Sequence, residues 1–158
     1  MGDKINEETW SNIFSSTKET KLQEFQWKIV HNIFPTNILL SKIGLKNSEK
    51  CENCGVTDYI EHFFIDCHRI GSFWNDVEKL LNSKLNTHIK LNENIIILGI
   101  EQDEQSKSMN KNEIFMTNEL LIIAKLSISK SRINDLKVTL VFENELRIRN
   151  KYGNRKQR

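Results

Sequence analysis

Cysteine is scarce in this chain of 158 residues: there are three, and all of them lie between positions 51 and 67. No run of about 18 apolar residues occurs, which a membrane-spanning helix requires. The polar start "MGDKINEETW" also lacks the apolar core of a signal peptide. These absences speak against a membrane partner and against a secreted, disulfide-stapled class, so a soluble intracellular protein of the nucleus or cytoplasm is expected. A large charge of one sign is missing as well, because the formal net charge is only +2. The chain as a whole is therefore not built around a polyanionic partner. There is no Tyr-x-Asp-Asp-type carboxylate pair, and the acids are scattered over helices and loops. Neither two-metal polymerase chemistry nor a nuclease is expected, and the chain is not read as an enzyme. Repeats and low-complexity tracts are absent too.

At 38% hydrophobic content the chain suits one domain, or a domain with an extension, with a real core. From Lys21 to Asn32 the residues Leu22, Phe25, Trp27, Ile29, Val30 and Ile33 recur at mostly helical intervals, and the single proline, Pro35, stops the pattern. Thr36 is placed to cap a short second helix carrying Leu39, Leu40 and Ile43, which Gly44 would end. Over Ser72 to Asn82 the residues Phe73, Trp74, Val77, Leu80 and Leu81 predict a helix leaving the cysteine segment directly. The stretch "NIIILG" fits a short buried strand or a helical turn, and "EQDEQSKSMNKNE" reads as a mobile loop. Ile114 to Arg132 predicts a long helix packed on two sides, and Val138 to Arg149 a last amphipathic one. The expected class is mainly α: a small helical domain with a structural zinc knuckle inserted between helices. Two parts are expected, a zinc-binding region over 1–92 and a helical extension over 93–158 that packs on it and ends in a basic tail.

Within "CENCGVTDYIEHFFIDC", the Cys-x2-Cys turn brings Cys51 and Cys54 to one side of an ion, as tetrahedral zinc requires. His62 and Cys67, five residues apart, then close the site. Three thiolates against a dication leave a formal charge of −1, which Lys50 and Arg69 are close enough in sequence to offset. With four protein donors no position is left for an activated water, so the Zn²⁺ site is structural rather than catalytic. Two blander readings stand beside it. A Cys51–Cys54 disulfide would make a redox motif, but its flanks look like loop rather than a strand and helix. Three unrelated buried cysteines with a chance histidine are the other. His68, next to Cys67, is a rival ligand to His62, whereas His31 and His88 read as ordinary helix-face or surface residues.

The order of landmarks from residue 10 to residue 81 resembles the zinc-binding region downstream of the reverse transcriptase domain in non-LTR, LINE-type retrotransposon polyproteins. Trp27 with Lys28, Phe34 to Asn37, and Leu40 with Gly44 match its first half. Cys51 and Cys54, then His62, Phe64 and Cys67, then Phe73 and Trp74 match its second. His68 stands where that family commonly has proline. The final helices are similar to the less distinctive segment that often ends such polyproteins. The resemblance implies a non-catalytic module that engages RNA or DNA during reverse transcription, with the upstream reverse transcriptase domain as a further partner.

Three surfaces are candidates for nucleic-acid contact. The last twelve residues, "RIRNKYGNRKQR", carry Arg147, Arg149, Lys151, Arg155, Lys156 and Arg158 and no acid. Tyr152 among them is able to stack on a base. Lys125, Ser129 and Arg132 share one helical face, expected to be the solvent side of an apolar helix. Lys50 and Arg69, with Lys46, flank the cysteines. The aromatic pairs Phe63/Phe64 and Phe73/Trp74 are expected in the core around the metal rather than as stacking platforms. The competing functional reading is a zinc-stabilised protein-interaction module without nucleic-acid binding, docking through the apolar helix at 114–128.

Overall fold

The structure, a computed structural model, describes residues 7, 11, 15–85, 87–101 and 106–155, with the side chains of 150–155 outside the described set. The described chain is mostly helical and contains no strand, only an isolated antiparallel bridge between Lys50 and Thr57. In chain order the helices are α1 (Thr20–Val30), α2 (Asn37–Lys42), α3 (Phe73–Leu85), α4 (Glu93–Leu98), α5 (Lys111–Asn134) and α6 (Val138–Arg155), with a π-helical turn at His62–Asp66 before α3.

Three of these helices stop by the same local device. Asn32, Gly44 and Asp135 take left-handed backbones, with φ of 56°, 79° and 52°. The next amide then bonds back five residues: Ile33 to the Lys28 carbonyl, Leu45 to Leu40, and Leu136 to Ser131. That pattern satisfies carbonyls the helix end would leave open. Thr36 does stand at the N-cap of α2, but its side chain makes no capping bond there. The α5 start is better built, because Asn110 accepts from the Glu113 amide at 2.9 Å while the Glu113 carboxylate accepts from the Asn110 amide at 2.9 Å. This capping box ends the loop expected to reach residue 113. Residues 102–105 of that loop lie outside the described ones.

The stretch "NIIILG", ambiguous by pattern, is the helix α4. Asn92 caps it through its Oδ1, which accepts from the Ile95 amide at 3.0 Å. Gly99 ends it at φ 88°, where an added Cβ would sit 2.8 Å from Asn118 Oδ1. Only glycine lets the chain pass that close, and it allows the Ile100 amide and carbonyl to pair with the Asn118 amide group at 2.7 and 3.0 Å.

The centre of the core is α5. Leu120 through Ala124 are buried in succession, so every face of the helix is covered. Its main partner is α6, and α1, α3 and the π turn pack on its other sides. One core cluster takes Leu22 and Ile29 from α1, Phe64 from the π turn, Phe73, Val77 and Leu81 from α3, Ile96 from α4 and Phe142 from α6. Among the described residues no helix is long and apolar enough to cross a membrane.

Candidate metal centre

The knuckle begins as a minimal hairpin. The Cys51 amide donates to the Val56 carbonyl at 2.7 Å, Gly55 N–H to the Cys51 carbonyl at 2.8 Å, and Asp58 N–H to the Glu49 carbonyl at 2.9 Å. These bonds fold the Cys-x2-Cys segment back on itself around the Lys50–Thr57 bridge. The chain then enters the π turn, in which the Cys67 amide reaches the His62 carbonyl at 2.9 Å. An i to i+5 bond ties the first residue of that turn to the one that caps its end, which is how a five-residue step places an imidazole and a thiol at one point.

As a result Cys51, Cys54, His62 and Cys67 present donor atoms that all lie within 4.8 Å of one another. Cys67 Sγ lies 3.9 Å from Cys51 Sγ and 3.7 Å from Cys54 Sγ. For Zn–S bonds of about 2.3 Å a tetrahedron has an edge of about 3.8 Å, so the sulfurs stand at coordination spacing. The three thiols are free. His62 is buried, and its Nε2 has no hydrogen-bond partner. A buried imidazole nitrogen without a partner is costly unless a cation or donor occupies the site. His68 does not join the group: it is exposed, and its backbone amide donates to Cys54 Sγ at 3.4 Å.

The surroundings favour ionised sulfur on one side of the cluster. Burial opposes ionisation of Cys51, yet hydrogen bonds from His62 and from the Cys54 and Asn53 amides together hold its thiol below the ordinary value. The His68 amide lowers Cys54, with help from Asn53 against its burial. Burial pushes the Cys67 thiol up to about 11, and the neighbouring cysteines add to the effect.

The knuckle is held to the rest of the molecule by a residue that periodicity could not reveal. Asp58, between Cys54 and His62, is fully buried. Its carboxylate accepts from both terminal nitrogens of Arg132 at 3.0 and 3.0 Å, and from the Asn37 amide at the start of α2 at 3.0 Å. The Arg132 guanidinium also lies 4.0 Å over the Phe63 ring. Asn37 continues the network, donating from Nδ2 to the Lys50 carbonyl at 2.9 Å and accepting from Lys46 Nζ at 2.8 Å. The only sequence signal for Asp58 was an acid inside an otherwise metal-binding segment, and nothing linked it to a residue 74 positions away.

The expected aromatic core is present: Phe64 and Phe73 are buried, and the Trp74 indole N–H donates to the Phe64 carbonyl at 2.7 Å. The cations are another matter. Lys125 is not on a solvent side; it is 1% exposed and donates to Gln26 Oε1 at 2.5 Å and to the Ile97 carbonyl at 3.0 Å. It cannot grip a phosphate, because α1 and α4 cover it. Arg132 is engaged by Asp58. Arg149 is held between Glu19 and Glu145, with the nearest Glu19 oxygen 3.1 Å away. Ser129 is buried as well. Lys50, Arg69 and Arg147 are exposed, Arg69 lying 3.6 Å from the Asp135 carboxylate. Lys151 and Arg155 continue the α6 backbone with side chains outside the described set, and Lys156 and Arg158 lie outside the described residues. The stretch 114–128, considered as a docking helix, is largely consumed by the protein's own core.

Comparison with known proteins agrees with this geometry. Residues 1–74 match the family described as zinc-binding in reverse transcriptase. No curated protein and no solved structure matches the chain. The match ends at the beginning of α3, so α5 and its Arg132 lie beyond it. Three thiols and a buried imidazole whose donor atoms lie within 4.8 Å of one another suit Zn²⁺, and residues 1–74 match the zinc-binding domain found in reverse transcriptases.

Proposed function

We propose that Cys51, Cys54, His62 and Cys67 hold one structural Zn²⁺, and that the folded module serves a retroelement reverse transcriptase by contacting RNA or DNA, without catalysis of its own. The observation that carries the metal assignment is the convergence of one His62 ring nitrogen and three free sulfurs within 4.8 Å of one another. Four protein donors complete a tetrahedron, so the bound cation supplies cross-linking of the knuckle rather than an activated water. The chain's own residues do the rest: the π turn orients His62 and Cys67, and the Asp58–Arg132 pair fixes the hairpin against α5.

Support for nucleic-acid contact is of two kinds. The matched family is found in reverse transcriptases, and the sequence ends in six cations without an acid. Of those six, Arg149 is tied into ion pairs, so the contact rests on Arg147 and the residues after it. The upstream polymerase part of a polyprotein is the protein partner consistent with the family. Two measurements test this reading. Elemental analysis of the purified chain is expected to give about one zinc per molecule, and a folded, metal-free protein would refute the site. Deleting residues 150–158 removes four cations and no acid, changing the formal net charge from +2 to −2, while leaving Arg149 in place. Binding to a labelled single strand is expected to weaken, and its log-log salt slope to flatten by roughly 0.7 per lost phosphate contact. Unchanged affinity and slope would remove the tail from the reading.

A further inference from the structure

A cleft of about 440 Å³ opens between the knuckle and the C-terminal end of α5. Concavities of roughly 300–1,000 Å³ are the size that takes small molecules or single groups of a polymer. Its apolar lining comes from Phe34, Phe63, Leu40 and Ile133. Asn37, Asn53 and Ser129 supply polar groups, and three cations, Lys46, Arg69 and Arg132, line it too. Two acids are present, Glu52 and Asp135, each paired with one of these cations: Lys46 with Glu52 at 3.0 Å and Arg69 with Asp135 at 3.6 Å.

We propose that this cleft receives one unpaired nucleotide of single-stranded RNA or DNA, the base entering between the aromatic wall and Ile133 and the flanking phosphates lying on Lys46 and Arg69. The proposal rests on the nucleic-acid reading above and gives it a location. The wall has the right chemistry for a flat, partly polar ring. Phenyl rings and guanidinium planes both stack on bases, and Arg132 combines the two by lying on Phe63 while also lining the cleft. The Asn53 amide oxygen and the Ser129 hydroxyl bring polar atoms of the kind that address base edges, whereas the Asn37 side chain is engaged by the Lys50 carbonyl and Lys46. A base held in a duplex cannot enter such a space, so the selectivity is for unpaired strands.

The two rim ion pairs do not close the site against phosphate. The Glu52 and Asp135 side chains are 79% and 92% exposed, and pairs of that kind contribute about 0–1 kcal/mol in water. A phosphodiester can therefore replace either carboxylate at little cost. Arg132 stays where it is because its partner, Asp58, is buried. The cleft thus divides its cations into one fixed platform and two exchangeable contacts.

The test uses the full, zinc-loaded chain and a twelve-nucleotide oligothymidine or oligouridine strand carrying one 2-aminopurine, whose emission reports burial and stacking of that base. The wild-type chain is expected to bind and to quench the probe. Ile133→Trp places a large side chain across the mouth, and since Ile133 is 78% exposed the fold should bear it. This variant is expected to lose the quenching and to bind roughly 5- to 100-fold more weakly, the range associated with one base stack. Arg69→Ala is expected to bind more weakly with a flatter salt slope but to keep the quenching. Zinc content of each variant is measured alongside to show that the knuckle is intact. If Ile133→Trp binds and quenches like wild type, the cleft is not the site, although nucleic-acid binding stands. If quenching survives Ile133→Trp but disappears on deletion of 150–158, the base goes to the tail and the proposal is wrong. If the wild-type chain binds neither strand at low salt, the nucleic-acid reading falls and the cleft assignment falls with it.

Discussion

Arg132 and Lys125 stand two turns apart on the same helix, one facing the knuckle and the other facing the helical interior, and their surroundings differ in kind. Arg132 meets a buried carboxylate in a two-pronged arrangement and lies on an aromatic ring. Lys125, buried between α1, α4 and α5, meets an amide oxygen and a backbone carbonyl. Burial alone drives the Lys125 amine down to about 7. At the knuckle end, then, a buried charge is met by an opposite charge set beside the aromatic core. Between the helices the buried lysine is met by neutral oxygens alone, and its desolvation opposes the packing around it.

The most severe way to break this contrast is to remove the metal site. Cys54→Ser is expected to abolish stoichiometric zinc and to open residues 46–74, since binding free energy at a structural site is folding free energy, on the order of 10 kcal/mol in zinc-finger peptides. Hydrogen exchange should then show lost protection in the knuckle with α5 and α6 still protected. Equal loss in both regions would mean that the two ends are not energetically distinct.

Next in size is Arg132→Ala, which leaves the Asp58 carboxylate buried with only the Asn37 amide as partner. A loss of about 3–5 kcal/mol in denaturant unfolding is expected. Zinc retention in a chelator competition should also fall, by roughly 10-fold, because the hairpin that carries Cys51 and Cys54 loses its anchor. Arg132→Lys should recover little, since an ammonium cannot reproduce the two parallel bonds. A neutral Arg132→Ala would show that the latch is ornamental.

The opposite sign is expected at Lys125. An unfolded lysine holds its proton up to about 10.5, the folded one only up to about 7. Between those values the unfolded chain binds more protons, so stability rises with pH across that window, by up to roughly 1.4 kcal/mol per pH unit, and is flat below it. Lys125→Met should be more stable than wild type near pH 6, and urea titrations at pH 6, 8 and 10 should show the gap closing as pH rises. A gap that is constant or grows with pH would mean that the amine is not titrating in the interior. The smallest effect is expected from Asn110→Ala, which removes the capping box of α5 and should cost about 1 kcal/mol with no change in zinc content.

How much of this could be read in the sequence follows from which signals are local. Helices α1, α3 and α6 announce themselves because their apolar residues repeat with the helical period over three turns or more, and α5 because a long run is apolar around much of its circumference. The short α4 did not, since four apolar residues in a row fit either period, and its cap at Asn92 and stop at Gly99 decide the matter. The cluster of three thiols and one imidazole was legible because those groups at those spacings have few other uses. The fate of Lys125 was not, because a polar position on an apolar helix says nothing about which element covers it. Asp58 and Arg132 were invisible as a pair for the same reason: their bond joins distant parts of the chain, and neither side chain is unusual in its own neighbourhood.

The π turn at His62–Asp66 has a consequence for how damage to this protein would be detected. A helix advances about 100° per residue, so inserting one residue into this turn would leave a helical turn of ordinary appearance while setting Cys67 about six residues from His62, about 240° around the axis. Far-ultraviolet circular dichroism, which counts helical amides, would register almost nothing. The loss would be one of phase rather than of content. A truncated or drifted copy of this gene could therefore encode a chain with normal helicity and no capacity for metal, distinguishable only by a measurement that sees the ion itself.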